Sequence, residues 1–407
     1  MPALNSPFSI NNKTTSKNRL FKSAMSEQLG DKQHNPDARL ERLYSTWAKG
    51  GTGLLVTGNV MIDRTALGEP KNVVLDEQSD LDAFRRWAKA SQGSGATVWM
   101  QLNHPGKQIP KFLNSAPVAP SAVPLGGGLE ASFACPRALH DNEIEAIIKR
   151  FANAARLAKE TGFDGVQIHG AHGYLVSQFL SPHHNQRKDK WGGSLENRMR
   201  FVEAVYAAIR EQVGEDYPVG IKLNSADYSK GGFSHEEAMQ VIQKLSSLGI
   251  DLIEVSGGTY ESPSMIGHKV ASSTAKREAY FLEFAESIRK QISTPLVVTG
   301  GFRSASAMQA ALDSDACDMI GLARPLAVSP DVANNLLEDA SYRIELQRPT
   351  TGVKAVDTMT MLDITWYEFQ LARMGNGKAP KPKLSAWSAV AQIMASLGLQ
   401  SFKKRRA

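Results

Sequence analysis

Cysteine is nearly absent from this chain. Two residues in 407, Cys135 and Cys317, leave no disulfide framework and no Cys-x-x-Cys pair for a metal or cluster. Such usage suits a reducing compartment. No run of eighteen apolar residues occurs, so the pattern excludes a membrane-spanning helix. The opening stretch MPALNSPFSINNKTTSKNRL lacks the apolar core of a signal peptide, and a cytoplasmic protein without stable membrane insertion is expected. The G-x-G-x-x-G, Walker and H-E-x-x-H patterns are missing too, which argues against a Rossmann dinucleotide site, a P-loop and a zincin. A formal net charge of +6 raises the question of nucleic acid. No RNP, zinc-finger or helix-turn-helix signature supports it, and a mildly basic globular protein with a basic tail accounts for the charge without a nucleic-acid partner.

What is present is a repeating alternation of short apolar runs and helical patterns. Strands are expected at 20–25, 54–58, 97–103, 165–169, 219–224, 251–256, 296–300 and 318–322. Helices are expected at 37–49, 79–91, 142–161, 196–213, 235–247, 278–291, 305–312 and 331–337. In the third, Ile144, Ile147, Ile148, Phe151, Ala155 and Ala158 recur at helical spacing behind an acidic cap, Asp141. Alternation of this kind implies parallel strands. Roughly eight units is the number that closes a TIM (β/α)8 barrel, with a doubly wound open sheet as the alternative. The barrel is expected over 1–345 and a C-terminal helical extension over 346–407.

Two stretches exceed barrel spacing. The segment 106–140, rich in proline and glycine, has the length of a lid or substrate wall. Beyond the barrel, Trp366, Tyr367 and Gln370 read as part of a docked extension. Pro380 and Pro382 mark a linker, and Trp387, Val390, Ile393, Met394 and Leu397 form an apolar stripe before Lys403, Lys404, Arg405 and Arg406. The stripe suits docking on the barrel or on a second subunit, a possible homo-oligomer contact, better than lying on a membrane.

Chemistry concentrates at the expected strand ends. The seventh ends in Gly300, Gly301 and Arg303, the eighth in Ala323 and Arg324. Glycines admit an anion to backbone N–H groups, and arginine adds bidentate donors. Loops after strands seven and eight form the usual phosphate site of a TIM barrel. Past the fourth strand, His169, His172 and Tyr174 fall within six positions. With His183 and His184 nearby, a metal site is one reading. The strand ends supply no carboxylate set and the first strand no His-x-His pair, and no metal is expected.

The run HGAHGYL at 169–175, then FLSP, N-x-R-x-D, GGS-x-ENR and RF, resembles the old yellow enzyme family of FMN-dependent NAD(P)H oxidoreductases. The likeness extends from about Asn18 to about Arg324. It implies FMN on the anion site, with NADPH or NADH as electron donor. Ala24, Met25 and Ser26 then lie along the isoalloxazine edge, the Ser26 hydroxyl within reach of flavin O4 or N5. Gly58 admits the ring, Gln101 pairs with the pyrimidine, and Lys222 sits beside N1 and O2. Relatives carry Thr or Cys at position 26 and often Arg at 222. His169 and His172 hold the carbonyl oxygen of an enone, enal or quinone-like substrate, or a phenol, and Tyr174 donates a proton to the α-carbon.

The activity so implied is reduction of the activated C=C bond of α,β-unsaturated carbonyl compounds in ping-pong order, one open flavin face serving both partners in turn. Asn185, Arg187 and Asp189 are expected to shape a loop, the last two as an ion pair. Larger oxidative or demethylating relatives carry a cysteine cluster and a second nucleotide domain, so electrons are expected here directly from NAD(P)H. A metal-dependent hydrolase and a non-catalytic barrel scaffold are the readings from other classes.

Overall fold

The computed structural model describes residues 3–259, 261, 278, 279 and 281–397. Eight strands close a parallel barrel: β1 (Leu20–Lys22), β2 (Leu54–Met61), β3 (Thr97–Asn103), β4 (Gly165–Gly170), β5 (Val219–Asn224), β6 (Leu252–Ser256), β7 (Leu296–Thr299) and β8 (Met319–Leu322). Spatial order follows chain order, with β8 pairing back onto β1. The fold is a TIM (β/α)8 barrel. The first strand is shorter than expected: it ends at Lys22, and residues 23–26 continue over the mouth without ladder partners in the sheet.

Because side chains alternate along a strand, the interior is layered. Phe21, Leu54, Val56, Trp99, Leu252, Val297 and Met319 form an apolar floor, closed from below by Ile10. Two residues further along each strand the inward positions turn polar, at Ser23, Gln101, Gln167, Lys222, Glu254 and Thr299, all buried. Polarity starts one layer below the mouth, where burial without partners costs several kcal/mol.

Helices α1 (Ala38–Lys49), α2 (Leu81–Ser91), α3 (Asp141–Glu160), α4 (Leu175–Leu180), α5 (Leu195–Val213), α6 (His235–Ser247), α7 (Leu282–Arg289) and α8 (Ala305–Asp313) follow the strands. Sequence signals explain their starts. Asp37 accepts from the Arg39 N–H at the head of α1, and Ser234 and Glu237 form a capping box on α6. At α3 the expected cap is corrected by one residue: Asp141 is already helical, and Glu143 closes back on the N–H of His140 at 2.9 Å.

After β8 come α9 (Arg324–Val328), α10 (Val332–Glu338), α11 (Lys354–Met359), α12 (Leu362–Gly375) and α13 (Ala386–Leu397). Helix α12 packs on α1 and α9, burying Trp366, Tyr367 and Gln370. Gln370 pins the proline linker, its amide donating to Lys381 O at 3.1 Å and accepting from Lys381 N at 2.7 Å. Helix α13 docks through Ala386 and Ala389, while Trp387 is 52% exposed. The expected stripe is thus rotated, because 386 and 389 share a helical face that 387 does not. The side chains of Ile393, Met394 and Leu397 and the basic residues 403–406 lie outside the described residues. None of the described helices is long and apolar enough to cross a membrane.

Candidate active site

The polar layer is wired into one network. Gln101 Nε2 donates to Gln167 Oε1 at 2.8 Å, and Gln167 Nε2 to Glu254 Oε2 at 2.8 Å. Glu254 Oε1 takes Thr299 Oγ1 at 2.8 Å and lies 3.1 Å from Lys222 Nζ. Ladder register sets this up, pairing Gln101 with Gln167 and Lys222 with both His169 and Glu254. Lys222 therefore sits in the layer below the mouth as a buried cation on a buried carboxylate. Sequence reasoning passed over Glu254 and Gln167. The signal was there, since an uncharged, unbroken apolar strand has no reason to carry Glu in LIEVS.

Beside Lys222 stand the two histidines. His169 is 5% exposed, and its ring lies 5.3 Å from that of His172 and 4.7 Å from that of Tyr174, both edge-on. The structure therefore brings all three together. His169 Nδ1 accepts the Ala171 N–H at 3.3 Å, which leaves its ring hydrogen on Nε2. His172 Nε2 lies 2.8 Å from Ser256 Oγ. Both rings are held well below the ordinary histidine range, first by burial. For His169 the neighbouring His172 and then Lys222 add to this; for His172, Lys222 does. They are neutral hydrogen-bonding groups at pH 7. His172 has φ +63°, a left-handed conformation uncommon outside glycine; its N–H is held by Asn224 Oδ1 at 3.1 Å.

At the other end, β7 and β8 pair Thr299 with Gly321, bringing the two glycine–arginine loops side by side. Gly300 and Gly301 have φ +113° and +97°. Arg303 and Arg324 both act on the phenol of Tyr367, lowering a pKa that burial raises more strongly, and the Arg324 guanidinium lies 6.0 Å from that ring's centre. A residue of the C-terminal extension thus borders the expected phosphate site.

Under the segment 23–26 lies a buried group the sequence did not announce. Glu27 accepts the Gly58 N–H at 3.0 Å and the Tyr44 hydroxyl, with Lys22 Nζ 3.9 Å away. Burial outweighs this pairing: the Lys22 ammonium is lowered to about 8 and the Glu27 carboxyl raised. The glycine at 58 finds its reason here. A Cβ there would collide with the Glu27 carboxylate and the Met25 carbonyl, so its bareness makes room for Glu27. Ala24, Met25 and Ser26 are partly exposed at the mouth.

The segment 106–140 folds over the post-β4 loop. Lys107 Nζ reaches Pro124 O at 3.0 Å and His184 Nδ1 at 2.9 Å, and Arg187 reaches Pro120 O at 3.0 Å while pairing with Asp189 at 2.6 Å. Arg187 and Asp189 thus shape the loop, as expected. His183, His184 and Glu261 bring ligand-type atoms within 4.8 Å of one another. His184 spends Nε2 on Glu261 at 3.3 Å and faces Lys107 with Nδ1, a cation that opposes a second one.

A polar barrel mouth with a fixed cation, a neutral histidine pair and a paired glycine–arginine end suits a flat hydrogen-bonding ring that ends in phosphate. That donor set fits FMN. The comparisons define the class: the profile of the NADH:flavin oxidoreductase / NADH oxidase family matches residues 3–341. The chain is 38% identical over 346 residues to an NADH-dependent flavin oxidoreductase of Hypocrea jecorina, covering 80% of this chain and 86% of that one. To a protein of the same description from Aspergillus parasiticus it is 34% identical over 405 residues, covering 96% and 88%. Among solved structures, the old yellow enzyme homologue from Zymomonas mobilis superposes with a TM-score of 0.72 at 26% identity, over 85% of this chain and 95% of that one.

The chain belongs to the NADH:flavin oxidoreductase / NADH oxidase family, and within it to the old yellow enzyme type. It is an FMN-dependent oxidoreductase with a nicotinamide electron donor.

Proposed function

We propose that the protein reduces the activated C=C bond of α,β-unsaturated carbonyl compounds, taking electrons from NADH or NADPH and releasing the oxidised nicotinamide before the second substrate enters. The observation that carries this reading is the neutral pair His169 and His172 standing beside Lys222 with the Tyr174 ring 4.7 Å from His169. When bound, FMN supplies hydride transfer. Gln101 and Lys222 would hold its pyrimidine ring, Ala24, Met25 and Ser26 would border the ring system, and Gly300, Gly301, Arg303, Ala323 and Arg324 would hold its phosphate.

The substrate carbonyl oxygen accepts from His169 Nε2–H and from His172. For His172 to donate through Nδ1, Ser256 Oγ, 2.8 Å from its Nε2, acts as the donor to that nitrogen. Two neutral donors draw charge onto the oxygen and leave the β-carbon electrophilic, with little reorganisation because burial, the Ala171 N–H on His169 and Ser256 Oγ on His172 already fix the rings. Tyr174 gives its hydroxyl proton to the α-carbon as general acid.

The test is anaerobic turnover of 2-cyclohexenone with NADH and with NADPH. Stoichiometric cyclohexanone with parallel-line kinetics supports the reading. NADH oxidation without consumption of the enone would overturn it.

A further inference from the structure

Ser26 makes its hydrogen bond to a carboxylate, and the atoms around that carboxylate fix the direction of the bond. Asn72 is oriented by its own contacts: its Oδ1 accepts the Glu69 N–H at 2.7 Å, so its Nδ2 is the amine that reaches Glu69 Oε2 at 3.0 Å. An oxygen that receives an N–H is an acceptor, and Ser26 Oγ bonds to that same Oε2. The hydroxyl hydrogen of Ser26 is therefore spent on Glu69, and only lone pairs remain to face the barrel mouth.

Glu69 is held in turn by the C-terminal extension. Glu368 of α12 takes Gln28 Nε2 on Oε2 at 2.8 Å. Its buried Oε1 meets no N–H or O–H donor among the described residues. Its hydrogen-bonding neighbour is the carboxyl of Glu69. Two carboxyls form a hydrogen bond only when one of them is protonated, and this bond lowers Glu69 and raises Glu368, so Glu368 carries the proton and Glu69 accepts. Burial raises both carboxyls, and the neighbouring Glu69 then lifts Glu368 well above the usual carboxylate range.

We infer that Glu69, braced by Glu368, is a positioning residue that turns the Ser26 hydroxyl so that it accepts from the flavin ring and does not donate to it. This deepens the reading of Ser26 as a ring-edge residue and rests on it. A hydroxyl that offers only lone pairs has no bond to make with O4 or with N5 of the oxidised ring, both acceptors. It matches the N5–H hydrogen that the ring carries only when reduced. The arrangement thus favours the reduced cofactor, and its origin lies partly in a helix outside the barrel.

The experiment is a double-mutant cycle on the FMN midpoint potential, read by dye-equilibrated reduction of the holoenzyme. The variants are Ser26→Ala, Glu69→Leu and the pair. Removing a carboxylate alters the field on the ring in both backgrounds alike, so the difference between backgrounds isolates the hydroxyl. Glu69→Leu, which removes the acceptor, is expected to lower the potential further when Ser26 is present than when it is Ala, by about tenfold in the reduction equilibrium, or ~30 mV for two electrons. Glu69→Asp, which withdraws the acceptor and keeps the charge, shifts it the same way if Glu69→Leu does not fold. Equal shifts in both backgrounds would reduce Glu69 to a structural or field role and overturn the inference. A Ser26→Ala variant with unchanged potential would overturn it at an earlier point, by removing Ser26 from the ring edge.

Discussion

Lys222 and Glu254 face each other at 3.1 Å on neighbouring strands, both buried, with His169 on the opposite neighbour of Lys222. Glu254 thus holds in place the cation that, after burial, helps keep the neighbouring histidines neutral. Breaking such a pair leaves a buried charge uncompensated, at a cost of about 3–5 kcal/mol. Glu254→Leu is expected to destabilise the protein by that order, measured as a fall in urea midpoint. A fall of under ~1 kcal/mol would show that Lys222 finds another partner.

Replacing His169 and His172 together by Ala is expected to weaken phenol and enone binding at least tenfold while FMN stays bound. Since both rings titrate well below the ordinary range, phenol affinity of the native protein should be flat between pH 6 and 8. A titration with an inflection near 6.5 would place a charge on one of them.

Tyr174→Phe is expected to slow reoxidation by an enone by roughly 10²-fold or more, within the span of general acid catalysis, with reduction by NADH nearly unchanged. Stopped-flow absorbance separates the two half-reactions. Equal slowing of both would remove Tyr174 as the proton donor.

Removing the Arg324 guanidinium by mutation to Ala should release FMN, read by ultrafiltration and flavin fluorescence. Tyr367→Phe, which keeps the ring beside Arg324 but loses its hydroxyl, is expected to loosen FMN less. Full occupancy in Arg324→Ala would take that arginine out of the phosphate site.

His104 is buried below the loop 106–140 and lowered to about 4, first by burial, with Asp63 opposing and Arg150 adding. Its folded pKa lies below its unfolded value near 6.5, so the unfolded chain binds the extra proton. Its stability contribution is present above pH 6.5 and falls on acidification toward pH 4. Between pH 7 and 5 the loss is about 2 kcal/mol. Urea unfolding at the two pH values should show His104→Gln losing correspondingly less than the native chain.

Much of this was legible in the sequence, and the reasons are physical. Buried parallel strands read as apolar runs, and amphipathic helices carry their period, so the eight units stood out. The histidine pair, Tyr174 and the glycine–arginine loops were visible because polar groups cluster at strand ends in short windows. The Glu69–Glu368 pair joins positions 299 residues apart, and no local pattern marks either partner. Gly58 shows the converse: a glycine in a strand signals close approach, but only the coordinates say that the approaching group is Glu27.

The proposed role of this site is to carry electrons from a nicotinamide to an enone through the histidine-held carbonyl. Its most direct test is anaerobic reduction of the yellow holoenzyme with one equivalent of NADH or NADPH, followed by 2-cyclohexenone, in the native protein and in His169→Ala/His172→Ala. The flavin's visible band is expected to bleach in both and to return rapidly with enone only in the native protein. A native enzyme that stays bleached with enone, and recovers its colour only when air is admitted, would contradict it.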